Sequence, residues 1–163
     1  MKQMMIVIAT LLLTCCSSGS SILAEPVLGE SGEQKTETSN EMTQKLYLTI
    51  DGVTKSETLE SNTATQELIT RLQQAPITVS LNTSGGFEIW GSLGFSLTTS
   101  NQQINAQPGD IVLYNGSNIC IFYGTNSWSY TRLGKIDGLS DSELLSFLKA
   151  GENNIQVSLS LIK

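Results

Sequence analysis

The chain has 163 residues, of which 39% are hydrophobic and 15% charged, with a formal net charge of −6 and no histidine. This length favours one compact domain with a core of its own. The lack of histidine excludes Ser-His-Asp triads, Cys-His dyads and histidine metal sites from this chain. A mildly acidic chain without a basic stripe also argues against nucleic acid as a partner.

The N-terminus has the pattern of an export signal. Lys2 provides a short positive segment, and residues 4–13 form an apolar run too short to span a bilayer as a permanent helix. The following Leu-Thr-Cys-Cys resembles a bacterial lipobox with Cys16 as the lipidated residue, or Cys15 as the alternative. Cleavage by ordinary signal peptidase after Ala24 is a rival interpretation. We expect a lipid-anchored, extracytoplasmic protein of the cell envelope, or alternatively a secreted or periplasmic one.

An acidic segment separates this signal from the rest of the chain. Residues 17–43 are rich in Ser, Glu and Thr, and they contain five acidic residues but one basic residue. Such a segment has little to bury and is typical of a flexible tether. The sequence therefore predicts a lipoprotein signal peptide at 1–16, a tether at 17–43 and a folded domain at 44–163.

The first part of the domain has two strand signals and one helix signal. Apolar and polar residues alternate over 46–50, and Asp51-Gly52 predicts a hairpin to a second strand at 53–58. Apolar residues then recur at helical spacing over 64–75, with Asn62 or Thr63 as the N-cap.

Four short strands are predicted before the turn at Pro108-Gly109. Ser84-Gly85-Gly86 is interpreted as a turn, because neither a lysine nor a helix follows it as in a phosphate-binding loop. The predicted strands are 77–81, 87–91, 95–97 and 102–106.

The stretch 108–138 carries the strongest fold signal. Asn115-Gly116 tolerates positive φ and predicts a tight hairpin between strands at 111–114 and 119–123. A further strand is predicted at 132–136.

The C-terminal part of the domain begins with a capping box. Ser140 and Glu143 have the spacing that opens a second helix, whose predicted buried face is Leu144, Leu145 and Leu148. Gly151 is the predicted C-terminal cap of this helix. Alternation over 155–161 predicts the last strand.

These elements together predict a mainly β domain, a closed β-barrel of about eight strands with two short capping helices. The segments PGDIVLY, ICIFYG and WSYTRLGKI resemble, in this order, the small bacterial cyclophilin-like proteins, which are often exported or lipid-anchored. The resemblance covers 45–163 and implies the cyclophilin-type barrel. It does not transfer peptidyl-prolyl isomerase activity, because the Phe-His-Arg segment of the classical active site and its Trp-Leu-Asp-Gly-Lys-His motif are absent.

Aromatic residues and one arginine are the candidates for a binding site. Prolyl isomerisation needs a donor to the twisted amide nitrogen and an apolar pocket for the proline ring. Arg132 is the candidate donor, although an ion pair or stacking on the barrel surface is the structural alternative. Any one aromatic residue can equally belong to the core. The ligand-binding candidates are Trp90, Tyr114, Phe122, Tyr123, Trp128, Tyr130 and Arg132.

The leading functional hypothesis is a lipid-anchored, cyclophilin-like binding domain for a peptide segment or a small molecule, without strong catalysis. The alternatives are an extracytoplasmic peptidyl-prolyl isomerase and a purely structural envelope component. We expect a monomer with no cofactor and no metal. Cys120 lies in an apolar run, and we expect it to be a small buried hydrophobic residue and not a nucleophile.

Overall fold

The computed structural model describes residues 45–162. Cys16, the predicted signal peptide and the predicted tether lie outside these residues. Within them, the strands are β1 (Lys45–Ile50), β2 (Val53–Leu59), β3 (Ile77–Ser84), β4 (Glu88–Ser92), β5 (Gln102–Ala106), β6 (Asp110–Tyr114), β7 (Asn118–Phe122), β8 (Asn126–Ile136) and β9 (Ile155–Ser160). The helices are α1 (Thr63–Leu72), between β2 and β3, and α2 (Asp141–Phe147), between β8 and β9. Neither is long and apolar enough to cross a bilayer.

Eight of these strands form a closed antiparallel barrel. Their order is β1-β9-β3-β4-β7-β6-β8-β2, and β2 returns to pair with β1. The remaining strand, β5, pairs with residues 126–130 of β8 and lies outside the barrel. The expectation of a closed barrel of about eight strands with two helices is therefore confirmed.

A β-bulge in β8 sets which of its residues face the barrel interior. Ile111 of β6 pairs with Gly134, whereas the next residue, Val112, pairs with Arg132. The extra residue changes the alternation of side chains, so that Leu133 and Ile136 both pack inside the barrel, in the main apolar core of the domain. Arg132 is consequently left on the outer face of the barrel.

Two apolar clusters stabilise the domain. The large one fills the barrel and includes Leu68 and Leu72 from α1 and Leu144 and Leu148 from α2, so both helices pack against it. The small cluster, called the small core below, lies on the opposite face of β6, β7 and β8. Its buried members are Ala106, Val112, Cys120, Phe122 and Tyr130.

Local turn and cap signals agree with the structure at several points. Asn62 caps α1 and Ser140 caps α2, each in a capping box. Asn115 and Gly116 adopt φ of 50° and 73° in the β6–β7 hairpin, as a tight turn requires.

The structure corrects the prediction for α2. Leu145 is 41% exposed, whereas Leu144 and Leu148 are buried. The helix ends in a Schellman motif, in which the amide of Lys149 donates to Ser146 and the amide of Ala150 donates to Leu145. Lys149, with φ of 51°, holds the left-handed position that was predicted for Gly151.

The predicted strand at 95–97 does not form. Leu97 is buried in the main core without a strand partner, and its amide donates to the carbonyl of Gly116. The next residue, Thr98, is held by the carboxylate of Glu67 on α1, which accepts bonds from its amide at 2.7 Å and its hydroxyl at 2.6 Å. Burial and side-chain hydrogen bonds therefore order this segment in place of sheet pairing.

Candidate functional site

The outer face of four neighbouring strands, β4, β7, β6 and β8, forms the base of the candidate site. On β4, Ile89 belongs to the main core, so Glu88 and Trp90 lie on the opposite face. Cross-strand pairing places Trp90 opposite Cys120 of β7, and Glu88 opposite Phe122. A carboxyl group, a thiol and aromatic rings thus share one patch of the outer surface.

This patch contains a pocket of about 340 Å³. Trp128 is 55% exposed and Trp90 is 37% exposed, whereas Tyr130 is 4% exposed, so the two tryptophans lie nearer to solvent. The pocket therefore has a buried base and a partly exposed aromatic edge. Its principal lining residues are Glu88, Trp90, Tyr114, Cys120, Trp128 and Tyr130.

Aromatic packing fixes the base of the pocket. The Tyr130 ring meets Tyr114 edge-on at 6.0 Å between centroids, and it meets Phe122 in the same manner at 5.6 Å. Such edge-to-face pairs are each worth about 0.5–1.5 kcal/mol beyond area burial. The side-chain amide of Asn126 donates to the Tyr130 hydroxyl at 2.8 Å. Tyr130 is therefore held in one orientation between the small core and the pocket.

Glu88 is the buried ionisable group of the pocket. It is 9% exposed, and its Oε2 has no hydrogen-bond partner within the described part of the chain. Burial raises the pKa of its carboxyl group, and a hydrogen bond from the Cys120 thiol offsets part of that rise. None of the residues that line the pocket is basic. The carboxyl group therefore lacks a protein counter-ion in the pocket.

Cys120 is a buried structural thiol. It is 1% exposed, and burial together with the neighbouring Glu88 raises its pKa. Reactive thiols need the opposite environment, one that lowers the pKa. The expectation that Cys120 is a buried hydrophobic residue agrees with this placement.

Arg132 lies outside the aromatic pocket. Its Nη1 donates to Oδ2 of Asp110 at 3.1 Å, and Asp110 also accepts from Lys135 at 3.2 Å. The guanidinium borders a separate depression of about 180 Å³ beside Asn62, and Tyr130 is the one candidate aromatic that lines both hollows. The structural alternative stated above, an ion pair on the barrel surface, describes this arrangement.

The remaining candidates divide between pocket, core and strand. Trp90, Tyr114, Trp128 and Tyr130 converge on the pocket. Phe122 is fully buried beneath it, in the small core. Tyr123 packs against the main core instead. Trp128 and Tyr130 are interior residues of β8, because this strand begins at Asn126 and not at 132 as predicted.

Sequence reasoning missed Glu88. The signal was present, because an acid and a tryptophan two positions apart on a strand must share a face. The alternating residues, Phe87 and Ile89, had marked the other face as apolar. The sequence alone does not show that the residues around the Glu88 carboxyl group in the pocket include no basic one. This lack of a basic neighbour in the pocket makes the carboxyl group notable.

The pocket does not have the composition of a metal site. In residues 45–162, no three Asp, Glu, Cys or His side chains cluster in a way that could hold a metal ion. Hard cations such as Ca²⁺ take about six to eight oxygen ligands. The groups that the pocket offers are one carboxyl group, a thiol, hydroxyl and amide groups, and aromatic surface.

Comparison with known proteins adds a family and a fold. The model of the cyclophilin-like family matches residues 48–160. The solution structure of the hypothetical protein AF2241 from Archaeoglobus fulgidus is similar, with a TM-score of 0.54, 17% sequence identity, and coverage of 72% of this chain and 94% of that one. At that identity the likeness shows the fold alone. No curated protein matches the chain significantly.

Proposed function

Since this chain belongs to the cyclophilin-like family, we propose that its barrel is a ligand-binding domain that recognises a small molecule or a peptide side chain in the outer-face pocket. The observation that carries the proposal is the convergence of four aromatic side chains on a buried, unpaired carboxyl group. Ligand sites are concave and largely apolar, with a few polar groups that fix orientation, and their volumes are about 300–1,000 Å³. The pocket fits the lower end of that range.

Arg132 favours binding over prolyl isomerisation. An isomerase of the classical kind needs a donor beside the pocket that holds the proline ring. Here the arginine forms an ion pair with Asp110 and borders a different depression. We therefore keep extracytoplasmic peptidyl-prolyl isomerase as the second candidate, supported by family membership alone.

The two tryptophans offer a direct test of binding. The chain contains Trp90 and Trp128 and no other tryptophan, and both line the pocket. We expect at least one class of probe to change the intrinsic tryptophan fluorescence saturably on titration. The classes to be titrated are cationic, neutral, anionic and proline-containing peptide probes. Trp128→Leu should weaken that response. If no class of probe alters the emission of the folded protein, the binding function is contradicted.

An isomerisation assay separates the two candidates. The purified protein should not accelerate cis-trans exchange of a proline tetrapeptide, and Arg132→Ala should leave the uncatalysed rate unchanged. Robust turnover that is lost in Arg132→Ala would reverse the order of the two functions.

We further propose that the domain is monomeric and is held at the cell envelope by a lipid on Cys16. The support is the lipobox-like sequence and the acidic segment 17–43, which would let the domain extend from the membrane. Cys16→Ala should move the protein from the membrane to the soluble fraction. Unchanged membrane attachment would exclude acylation at that residue, and Cys15→Ala is the matched control.

A further inference from the structure

We propose that the outer-face pocket binds an organic cation, an alkylammonium group, with Glu88 as its counter-ion and the aromatic rings as its walls. This inference rests on the proposed function, because it names the class of ligand for the same pocket.

The first argument is the unpaired carboxyl group. Glu88 is 9% exposed and lines the pocket, and its Oε2 accepts no hydrogen bond from the described residues. Buried carboxylates are usually paired, because an unpaired one loses solvation without compensation. Among the described residues, the side chain that donates a hydrogen bond to this carboxyl group is the neutral thiol of Cys120. A cation that enters the pocket would supply the missing charge and hydrogen bonds.

The second argument is the contrast with Asp110, a carboxyl group 3% exposed on the outer face of the same barrel. Asp110 has Arg132 at 3.1 Å and Lys135 at 3.2 Å. Within residues 45–162, two cations therefore pair with Asp110 and none pairs with Glu88. Of Asp110 and Glu88, the acid without a charged partner among the described residues is Glu88, which lines an aromatic pocket.

The third argument is the aromatic surround. Trp90, Trp128, Tyr114 and Tyr130 come from β4, β6 and β8 and line the same pocket as Glu88. A cation near the face of a tryptophan or tyrosine is attracted by the negative face of the ring, and aromatic cages are a recurring solution for quaternary ammonium ligands. An anionic ligand would instead be repelled by Glu88.

The composition of the walls separates an organic cation from a metal ion. The pocket offers one carboxyl group, a protonated thiol and neutral hydroxyl and amide groups, and no three Asp, Glu, Cys or His side chains cluster for a metal ion within residues 45–162. Aromatic surface suits the alkyl part of an ammonium group. The volume of about 340 Å³ admits a small amine or the end of a lysine side chain.

The carboxylate form of Glu88 should control affinity. The titratable groups that face it are the Cys120 thiol from β7 and the Tyr114 and Tyr130 hydroxyls from β6 and β8. Burial raises the pKa of both Cys120 and Tyr130, which keeps these two groups neutral in mildly acidic solution. Affinity for a cation should therefore fall as pH is lowered through the raised pKa of Glu88, because protonation removes the counter-ion.

The test is calorimetric titration of the full chain with choline and with the uncharged tert-butyl isostere of choline. Two further probes are butylammonium and Nα-acetyl-lysine methylamide, whose side-chain ammonium group is free. They distinguish a free amine from a lysine side chain as the source of the cation. Choline should bind the wild-type protein at least about tenfold more tightly than its neutral isostere, because only choline gains the charge attraction of Glu88 and the cation–π contact with the rings. Glu88→Gln should remove that difference and the pH dependence.

Glu57→Gln is the matched control, because Glu57 is also a buried carboxyl group without a hydrogen-bond partner but does not line the pocket. Choline affinity should be unchanged in this variant. If the neutral isostere binds the wild-type protein as tightly as choline does, the cation proposal is overturned while the binding function stands. If none of the cationic probes binds but another class of probe changes tryptophan emission, the cation proposal is likewise overturned and the binding function stands. If no probe of any class binds, both proposals fail.

Discussion

Arg132 and Asp110 form an ion pair on the outer face of the barrel, with Nη1 and Oδ2 3.1 Å apart. The side chain of Asp110 is 4% exposed, and its carboxylate also accepts a hydrogen bond from the backbone amide of Gln107 at 3.0 Å. The arginine of the candidate site therefore joins β8 to β6, and the proposed ligand binding rests on Glu88 and the aromatic rings.

This network predicts a large effect for a small change at Asp110. Asp110→Asn keeps the shape but removes the charge that Arg132 and Lys135 face. The free energy of unfolding should fall by about 1–3 kcal/mol, the range for losing charge-assisted hydrogen bonds at a buried acceptor. Urea denaturation measures it, with exposed Asp141→Asn as the control. Equal, small effects in both variants would contradict a structural role for the pair.

Glu57 predicts an unusual pH dependence of stability. It is fully buried inside the barrel opposite Leu46, and neither carboxyl oxygen has a partner among the described residues. Burial, aided by the charge of Asp137, raises its pKa well above the ordinary value. The folded state then holds a proton that the unfolded state releases at about pH 4.3, the ordinary pKa of a glutamate side chain.

The sign follows from that proton. Stability from Glu57 is fully present below about pH 4.3 and is lost as pH rises through the raised pKa, by up to about 1.4 kcal/mol per pH unit. Glu57→Gln should flatten this fall and be more stable than wild type at neutral pH. Urea denaturation of both proteins at several pH values measures the difference. A variant that follows the wild-type profile at every pH would refute the assignment.

Gly134 controls closure of the barrel. It pairs with Leu59 of β2, and a Cβ at this position would lie 2.5 Å from the carbonyl oxygen of Thr58. Gly134→Ala should force β2 and β8 apart and cost about 1–3 kcal/mol, as overpacking usually does. Exposed Ser129→Ala on the same strand is the control for thermal unfolding. A fully stable Gly134→Ala would show that this contact can relax.

Cys120 should be inert in the folded protein. Its thiol is buried, and its pKa is raised by burial and by Glu88. Alkylation mapped to the Cys120 peptide by mass spectrometry should be slow at mildly alkaline pH and fast in denaturant, because the thiolate is the reactive form. Rapid native labelling would mean that the base of the pocket opens readily.

Local signals in the sequence predicted the β6–β7 turn and the N-caps of both helices, because the chemistry lies within a few residues. Asn115-Gly116 and the Ser140–Glu143 capping box contain their own geometric reasons. The bulge in β8 and the pairing of β2 with β8 have no such local cause. In that pairing, for example, Glu57 lies opposite Ile136, which is 79 residues later in the sequence. Such pairings depend on the whole barrel and leave no local pattern.

The candidate site divides in the same manner. The aromatic residues were visible as a cluster in the sequence, and strand alternation could have added Glu88 to Trp90. The partner of Arg132 could not be foreseen, because Asp110 lies 22 positions earlier and is brought beside it by the β6–β8 pairing. Sequence proximity suggested that the guanidinium lies beside both Trp128 and Tyr130, whereas the depression that it borders is lined by Tyr130 and not by Trp128.

Chemical-shift mapping of isotope-labelled protein titrated with choline tests the central claim most directly. The account predicts saturable shifts of the indole N–H signals of Trp90 and Trp128, with the side-chain N–H signal of Arg132 unchanged. Shifts centred on Arg132 with unmoved indole signals, or no saturable shift anywhere, would contradict a cation site in the outer-face pocket.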